Sequence, residues 1–336
     1  MTSIHSNIGA TTALQTLRGI NNSMQMTQGR VASGFRVETA ADNSAYWSIA
    51  TTMRSDNKSL SAVEDALALS AAKVDVAYNG MEASVDILDE IKARFVTARE
   101  PGVDRGKVQK EFTEFKQQLV SIAQSATFSG ENWLYLSTPY DAANNASDKE
   151  LVGGFSRSKD GLITVQTIKL DFRDETQVAE PSDTWAMFDF MTGHIGDLGI
   201  ATSPNFAWDA GFATGWVLFK SPSPTVAGYP SVTEIQLDAS TTDAELDEMI
   251  VVIDAMLQYA IEKASTYGTV KWRIDMQSNF VQDLSHTIDT GVGRLVDANM
   301  SEESTRLKAL QTQQQLGIQS LSMANSNAQT LLTLLN

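Results

Sequence analysis

The sequence predicts a mainly α protein. Both ends of the chain form one long coiled-coil helical rod, and the middle forms a β-rich or α+β insertion. Two observations carry this. Apolar residues recur at alternating steps of four and three over about 50 residues on each flank, which is the seam of a coiled coil. Six of the seven prolines (Pro139, Pro181, Pro204, Pro222, Pro224, Pro230) fall between 137 and 244, together with Trp185, Trp208 and Trp216. Proline breaks helices, and clustered aromatics suit strands and loops.

Taken in chain order, the first segment has the seam Ala13, Leu17, Ile20, Met24, Thr27 and Val31. From Ile49 the next runs through Met53, Asp56, Leu60, Val63, Leu67, Ser70, Val74, Ala77, Met81, Ser84, Leu88, Ile91 and Phe95, with no proline before Pro101. A helix over 44–99 would be roughly 80 Å long at the α-helical rise. Pro101-Gly102 reads as the turn that folds the next helix back. That helix, over 103–128, has the seam Val108, Phe112, Phe115, Leu119, Ile122, Ala126. In the middle, 161–170 and 231–237 alternate as strands do, while Trp185–Phe190 and Phe212–Phe219 are aromatic-rich and ambiguous.

The 4-3 step returns as Leu246, Ile250, Ile253, Leu257, Ala260, Ala264, Tyr267, Lys271, Ile274, Ser278, Val281, Ser285, Ile288, Val292 and Leu295. Gly291 and Gly293 are expected to weaken this helix, and the register shifts there as at a joint between rigid pieces. It resumes as Leu307, Leu310, Gln314, Gly317, Leu321, Ala324, Ala328, Leu331 and Leu335. Stripes of this length cannot be buried by one helix, so the helices pack on each other or on neighbouring molecules. The expected rod core is Leu60, Val63, Leu67, Val74, Leu88 and Ile91, then Phe112, Phe115 and Leu119, then Leu257, Ile274, Val281 and Ile288.

Charge is distributed unevenly. The 336 residues carry 41 Asp/Glu and 25 Lys/Arg, a net −16. Residues 1–136, 137–244 and 245–336 contribute −2, −9 and −5. Residues 309–336 have no ionisable side chain, and 1–35 have only His5, Arg18 and Arg30. A helix meant for water normally keeps a charged face. Two uncharged helices at opposite ends are therefore expected to be buried together in an assembly.

The composition also excludes chemistry. The absence of cysteine rules out disulfides, thiol catalysis and Cys-ligated zinc. The acidic balance argues against nucleic acid, and no apolar run reaches a membrane span. The start lacks the basic and apolar regions of a signal peptide, which taken alone reads as cytoplasmic. His5, His194 and His286 have no ligand-spaced neighbours. Gly291-Val-Gly293 lacks the third glycine of a dinucleotide loop. Asp171, Asp174 and Glu175 read as a solvated acidic face, and Glu302-Glu303 as a helix N-terminus. The four Asn-x-Ser triplets, starting at Asn21, Asn57, Asn145 and Asn299, read as chance matches to the glycosylation pattern. No enzyme and no cofactor are expected.

Both termini resemble bacterial flagellins, and the Tyr-Trp-Ser-Ile-Ala variant at 46–50 resembles those of rhizobial and related alphaproteobacteria. The likeness rests on Ala32–Ala50 (Ser33, Gly34, Arg36, Ala40, Asp42, Ala45, Ile49 and Ala50 match), Thr127-Phe-Ser-Gly130, Arg294–Asn299 and the amide-rich tail Leu316–Asn336. It covers about 1–136 and 245–336. The resemblance implies a filament subunit for swimming motility, with three parts. Residues 1–43 with 297–336 would form an inner coiled-coil domain, assembled on Ala13, Leu17, Ile20, Met24 and Val31 against Leu307, Leu310, Leu321, Ala324, Ala328, Leu331 and Leu335. Residues 44–136 with 245–296 would form the helical rod, and 137–244 an outer variable insertion.

The same resemblance implies the partners. They are further copies of the chain or sister flagellins, the flagellar export apparatus and its chaperone, and the cap and junction proteins. It replaces the cytoplasmic reading with type III export, without signal cleavage, into an extracellular filament. The departures matter too. Asn43 and Tyr46 lie in the stretch matching the segment a plant receptor kinase recognises, and Glu90 and Arg94 in that matching an animal toll-like receptor. Weak recognition is the expectation at both. The runner-up readings are a hook–filament junction protein, which would stop at a thin zone, and a filament subunit whose insertion is an adhesin module.

Overall fold

The computed structural model describes residues 7–136, 148–171, 187–189, 199–220, 232–238 and 240–335, and of 136, 148, 171, 188, 189 and 327–335 the backbone alone. The elements are α1 (Ile8–Ser33), α2 (Ser44–Ala98), α3 (Arg105–Ser125), β1 (Thr127–Phe128), β2 (Glu131–Asn132), β3 (Tyr135–Leu136), β4 (Asp148–Arg157) and β5 (Ile163–Asp171). They continue as β6 (Phe188–Asp189), α4 (Asn205–Asp209), β7 (Gly215–Val217), β8 (Val232–Glu234), α5 (Asp243–Val296) and α6 (Met300–Leu335). The fold is mainly α. Its described strands form pairs: β1-β2 and β4-β5 antiparallel, β3-β6 and β7-β8 parallel.

Each long helix begins where a side chain can take its first free N–H groups. Asn7 Oδ1 accepts from Ala10 N–H at 3.0 Å, Asn43 Oδ1 from Tyr46 N–H at 3.1 Å, and Asp104 Oδ1 from Gly106 N–H at 3.0 Å. Thr242 and Glu245 form a reciprocal box: Thr242 N–H donates to Glu245 Oε2 at 2.7 Å, and Glu245 N–H to Thr242 Oγ1 at 3.2 Å. Asn299 Oδ1 accepts from Ser301 N–H at 3.2 Å, with Glu302 and Glu303 in the first turn of α6.

The chain divides into two compact units, residues 60–282 and residues 1–59 with 283–336. The first is built on the seams of α2, α3 and α5. Leu60, Val63, Leu67, Val74, Leu88 and Ile91 of α2 are buried, as are Phe112 and Leu119 of α3 and Leu257, Ile274 and Val281 of α5. Phe115 is half-buried. Phe95 and Phe112 meet edge to face, centroids 5.0 Å apart. Such a pair adds about 1 kcal/mol to the area it buries. Lys92–Asp254 at 2.6 Å and Lys271–Asp75 at 2.6 Å tie α2 to α5 along the rims.

The β1-β2 hairpin seats Trp133 and Leu134 against α2, where the backbone must come close. A Cβ on Gly80 would stand 2.5 Å from Leu134 Cδ1 and 3.0 Å from Ala126 Cβ. The insertion is attached to α3 by Lys116, whose ammonium pairs with Glu234 and lies 4.5 Å above the Phe219 ring.

Several local expectations need correction. α3 ends at Ser125 rather than 128, because Asn132 Nδ2 donates to the Ala123 and Gln124 carbonyls and draws Thr127-Phe128 into a hairpin. α5 does not weaken at Gly291 and Gly293 but runs to Val296. Each glycine costs about 1 kcal/mol in a helix, yet the helix continues, with Val292 between them and Val296 beyond both buried. The break falls at 297–299 instead. Ile49 is 50% exposed, and its neighbour Ala50 is buried in its place, because the incoming 35–37 segment sets the packing face. β4 forms over a stretch whose sequence shows no strand alternation. His5, His194, Asp174, Glu175, Asn145, Trp185 and the side chains of Ala328, Leu331 and Leu335 lie outside the described residues.

Candidate assembly surfaces

The unit made of residues 1–59 and 283–336 brings the two chain ends together, with α1 packed along α6. Leu17 is buried, and Ala13, Ile20, Met24 and Val31 are half-buried. Opposite them Leu307, Leu310, Leu321 and Ala324 are half-buried. Gly317 permits a close crossing: a Cβ there would lie 3.1 Å from Leu17 Cγ. Amides take the place of ion pairs on the flanks. Gln314 Nε2 donates to Asn21 Oδ1 at 2.7 Å, and Asn7 Nδ2 to the Ala324 carbonyl at 2.9 Å. One charged contact closes the end nearest the joint, where Glu303, almost wholly buried, meets Arg30 at 3.3 Å and Arg306 at 3.5 Å.

A pair of helices would normally hide its apolar side chains inward. Here Ile8, Met26, Leu316, Ile318 and Met323 are 55–67% exposed on the outer surface of the same unit. Exposed apolar area of this kind on a sparsely charged surface marks an interaction site.

Below the pair, the segments 34–43 and 297–299 interlock. Gly34 takes φ 78°, where a side chain would be strained, and its N–H closes α1 on the Arg30 carbonyl. Arg36 and Val37 N–H both donate to the Val296 carbonyl, Ala298 N–H donates to the Gly34 carbonyl, and the Arg36 guanidinium reaches the Leu295 carbonyl at 2.8 Å. Val37, Ala50, Val292 and Val296 form the core beneath, with Phe35, Met53, Ile288 and Leu295 packed on it. Asp42 receives the Thr39 and Glu38 N–H groups, and the Thr39 N–H above all holds its carboxyl below the usual range. Asn43 caps α2, and Tyr46 is exposed with Arg36 6.0 Å above its ring. Sequence reasoning found these segments by resemblance but had no signal for their backbone pairing.

In the unit 60–282, the outer side of α5 carries Ile261, Trp272, Met276 and Phe280, 43–62% exposed. An open groove of about 490 Å³ beside them is lined by Tyr78, Glu82 and Val85 of α2. Glu90 and Arg94 are a helical pair at 3.7 Å, and Arg94 also reaches Glu111 of α3 at 3.0 Å. Among the described residues no group of three or more His, Asp or Glu side chains is placed to hold a metal. No described helix is long and apolar enough to cross a membrane.

Residues 4–137 match the bacterial flagellin N-terminal helical region, and residues 250–335 match the bacterial flagellin C-terminal helical region. These are the two stretches that supply the packed chain ends. The chain belongs to the bacterial flagellin family. It is 49% identical to flagellin C of Rhizobium meliloti (strain 1021) over 334 residues, covering 99% of each chain. It is 41% identical to flagellin A of the same strain, covering 99% of this chain and 100% of that one. To the flagellin of Brucella melitensis it is 34% identical, again over 99% of each. As a flagellin it is a non-enzymatic structural protein of the flagellar filament outside the cell, and it acts by polymerising with its own kind.

Proposed function

We propose that the filament is built radially from three parts of the chain. The α1–α6 pair is the innermost layer, made from 1–43 and 297–336. The helices of 44–136 and 245–296 surround it as a rod, and 137–244 faces solvent. The observation that supports this is the outward exposure of Ile8, Met26, Leu316, Ile318 and Met323 on an almost uncharged pair, a surface suited to contact with other copies. The stripe Ile261, Trp272, Met276 and Phe280 on α5 supplies the corresponding contact in the rod. Copies in a helical array meet through different surfaces, so contact surfaces on several sides are required. Export unfolded through the flagellar type III apparatus, with a chaperone, and growth under a cap protein belong to the same reading.

Removing 309–336 tests the innermost role. The trimmed protein is expected to remain a helical monomer by circular dichroism and to form no filaments when seeded. Filaments from the trimmed chain at wild-type yield would overturn the inner assignment. The reading extends to the innate receptors, where Glu90 and the Arg94–Glu111 pair place charge on the surface of α2 and α3. Purified monomer is expected to activate the animal toll-like flagellin receptor poorly in reporter cells. Strong activation at low concentration would contradict it.

A further inference from the structure

The chain has 12 methionines and no cysteine, so thioethers are the only sulfurs an oxidant meets. Their placement is uneven. Among the described residues Met81, Met187, Met249 and Met256 are buried, and Met24 and Met53 are half-buried. Met26 and Met323 are 61% and 62% exposed, Met276 47% and Met300 44%. All of these exposed ones but Met300 stand on the surfaces assigned above to contact between copies. Met26 of α1 and Met323 of α6 lie on the packed chain ends, and Met276 lies on the α5 stripe with Ile261, Trp272 and Phe280. Methionine suits such a surface because its flexible, polarisable side chain fits itself to a partner. The same thioether is also the group there that a peroxide attacks.

We propose that Met26, Met276 and Met323 are oxidation sites that govern assembly: hydrogen peroxide converts them to sulfoxides in the free subunit, and the oxidised subunit joins filaments poorly. This rests on the reading of both surfaces as contacts between copies. In the reaction a sulfur lone pair attacks one peroxide oxygen, the O–O bond breaks and hydroxide leaves. The proton on the transferred oxygen then passes to that hydroxide, so the thioether is oxidised to a sulfoxide and the peroxide is reduced to water. The new oxygen is a strong hydrogen-bond acceptor on a side chain that was apolar. Burying it against apolar neighbours such as Ile8, Leu316 and Ile318 of another copy costs free energy unless a donor is found. Residues 309–336 have no ionisable side chain, so no ammonium or guanidinium is at hand beside Met323 on its own helix segment to supply one. Solvent reach makes the free subunit the vulnerable form, and incorporation covers the same sulfurs.

The test treats full-length monomer and preformed filaments with hydrogen peroxide and maps sulfoxides by peptide mass spectrometry. In the monomer Met26, Met276 and Met323 are expected to oxidise well before Met81, Met249 and Met256, and in filaments to be protected. Equal oxidation of Met26 and Met323 in both forms would overturn the contact reading itself. The oxidised monomer is expected to need a several-fold higher concentration for seeded growth, and methionine sulfoxide reductases are expected to restore the original value. Protection in filaments with unchanged growth of the oxidised monomer would overturn the proposal and leave the contact reading standing. Growth lost but not restored by the reductases would also overturn it, because the damage would then lie elsewhere. A second check combines Met26→Leu, Met276→Leu and Met323→Leu. Peroxide is expected to leave the growth of this variant at its own untreated level, and a loss as large as that of the wild type would overturn the proposal.

Discussion

At the scale of single residues, Asn43 separates two readings that the sequence runs together. Its difference from the Asp common in the family marks it as a departure in a recognised segment, yet its side chain caps the 55-residue helix α2. Asn and Asp are equivalent at that position because each accepts the N–H of the third helical residue. Asn43→Ala is expected to cost about 1 kcal/mol in urea unfolding of the monomer, while Asn43→Asp is neutral. Equal stability of the alanine variant and the wild type would remove the capping role. The pattern is general here. Asn7, Asp104, Thr242 and Asn299 likewise stand where a helix begins, a cue in residue type that reading the seams alone passes over. Glycine was the poorer guide. Gly291 and Gly293 sit inside α5, whereas Gly34 ends α1, and only backbone conformation tells the two cases apart.

At the scale of elements, the start of α5 is held by carboxylates. The Arg105 hydrogen bond, then the Arg99 charge, keep the Asp243 carboxyl below its usual range, and the Thr242 N–H does the same for Glu245. In the preceding turn, the hydroxyl and N–H of Ser240 lower Asp238. A carboxyl whose folded pKa is depressed stabilises the fold above its unfolded value, here 3.8 for Asp and 4.5 for Glu. That contribution is lost as pH falls through the lower folded values. Thermal stability of the monomer is therefore expected to hold from neutral pH down to about 4.5 and to fall progressively below it. A melting temperature unchanged at about pH 3 would contradict this. The long helices were legible because a 4-3 step sustained over many turns has no other cheap explanation. β4 was not, because Asp148-Lys-Glu150 and Gly153-Gly154 hide its alternation. Those glycines are set by the approach of Ile168 and Gln277, which only the folded chain reveals.

At the scale of the whole molecule, the net charge of −16 is a sum of unlike parts. The insertion carries −9 of it, and the last 28 residues carry none. The packed ends show what the uncharged segments do: amides such as Gln314 and Asn21 bridge α1 and α6 where exposed helices would carry ion pairs. That meeting of the termini was readable from composition. The interlock of 34–43 with 297–299 was not, since it runs through backbone groups that every sequence has. The central claim is radial: uncharged ends inside, acidic insertion outside. Electron cryo-microscopy of filaments grown from purified full-length protein measures it directly. The account predicts a filament whose smallest radius is lined by α1 and α6, with 137–244 at the largest. Density for 137–244 lining the centre, or α1 and α6 on the outer surface, would contradict it.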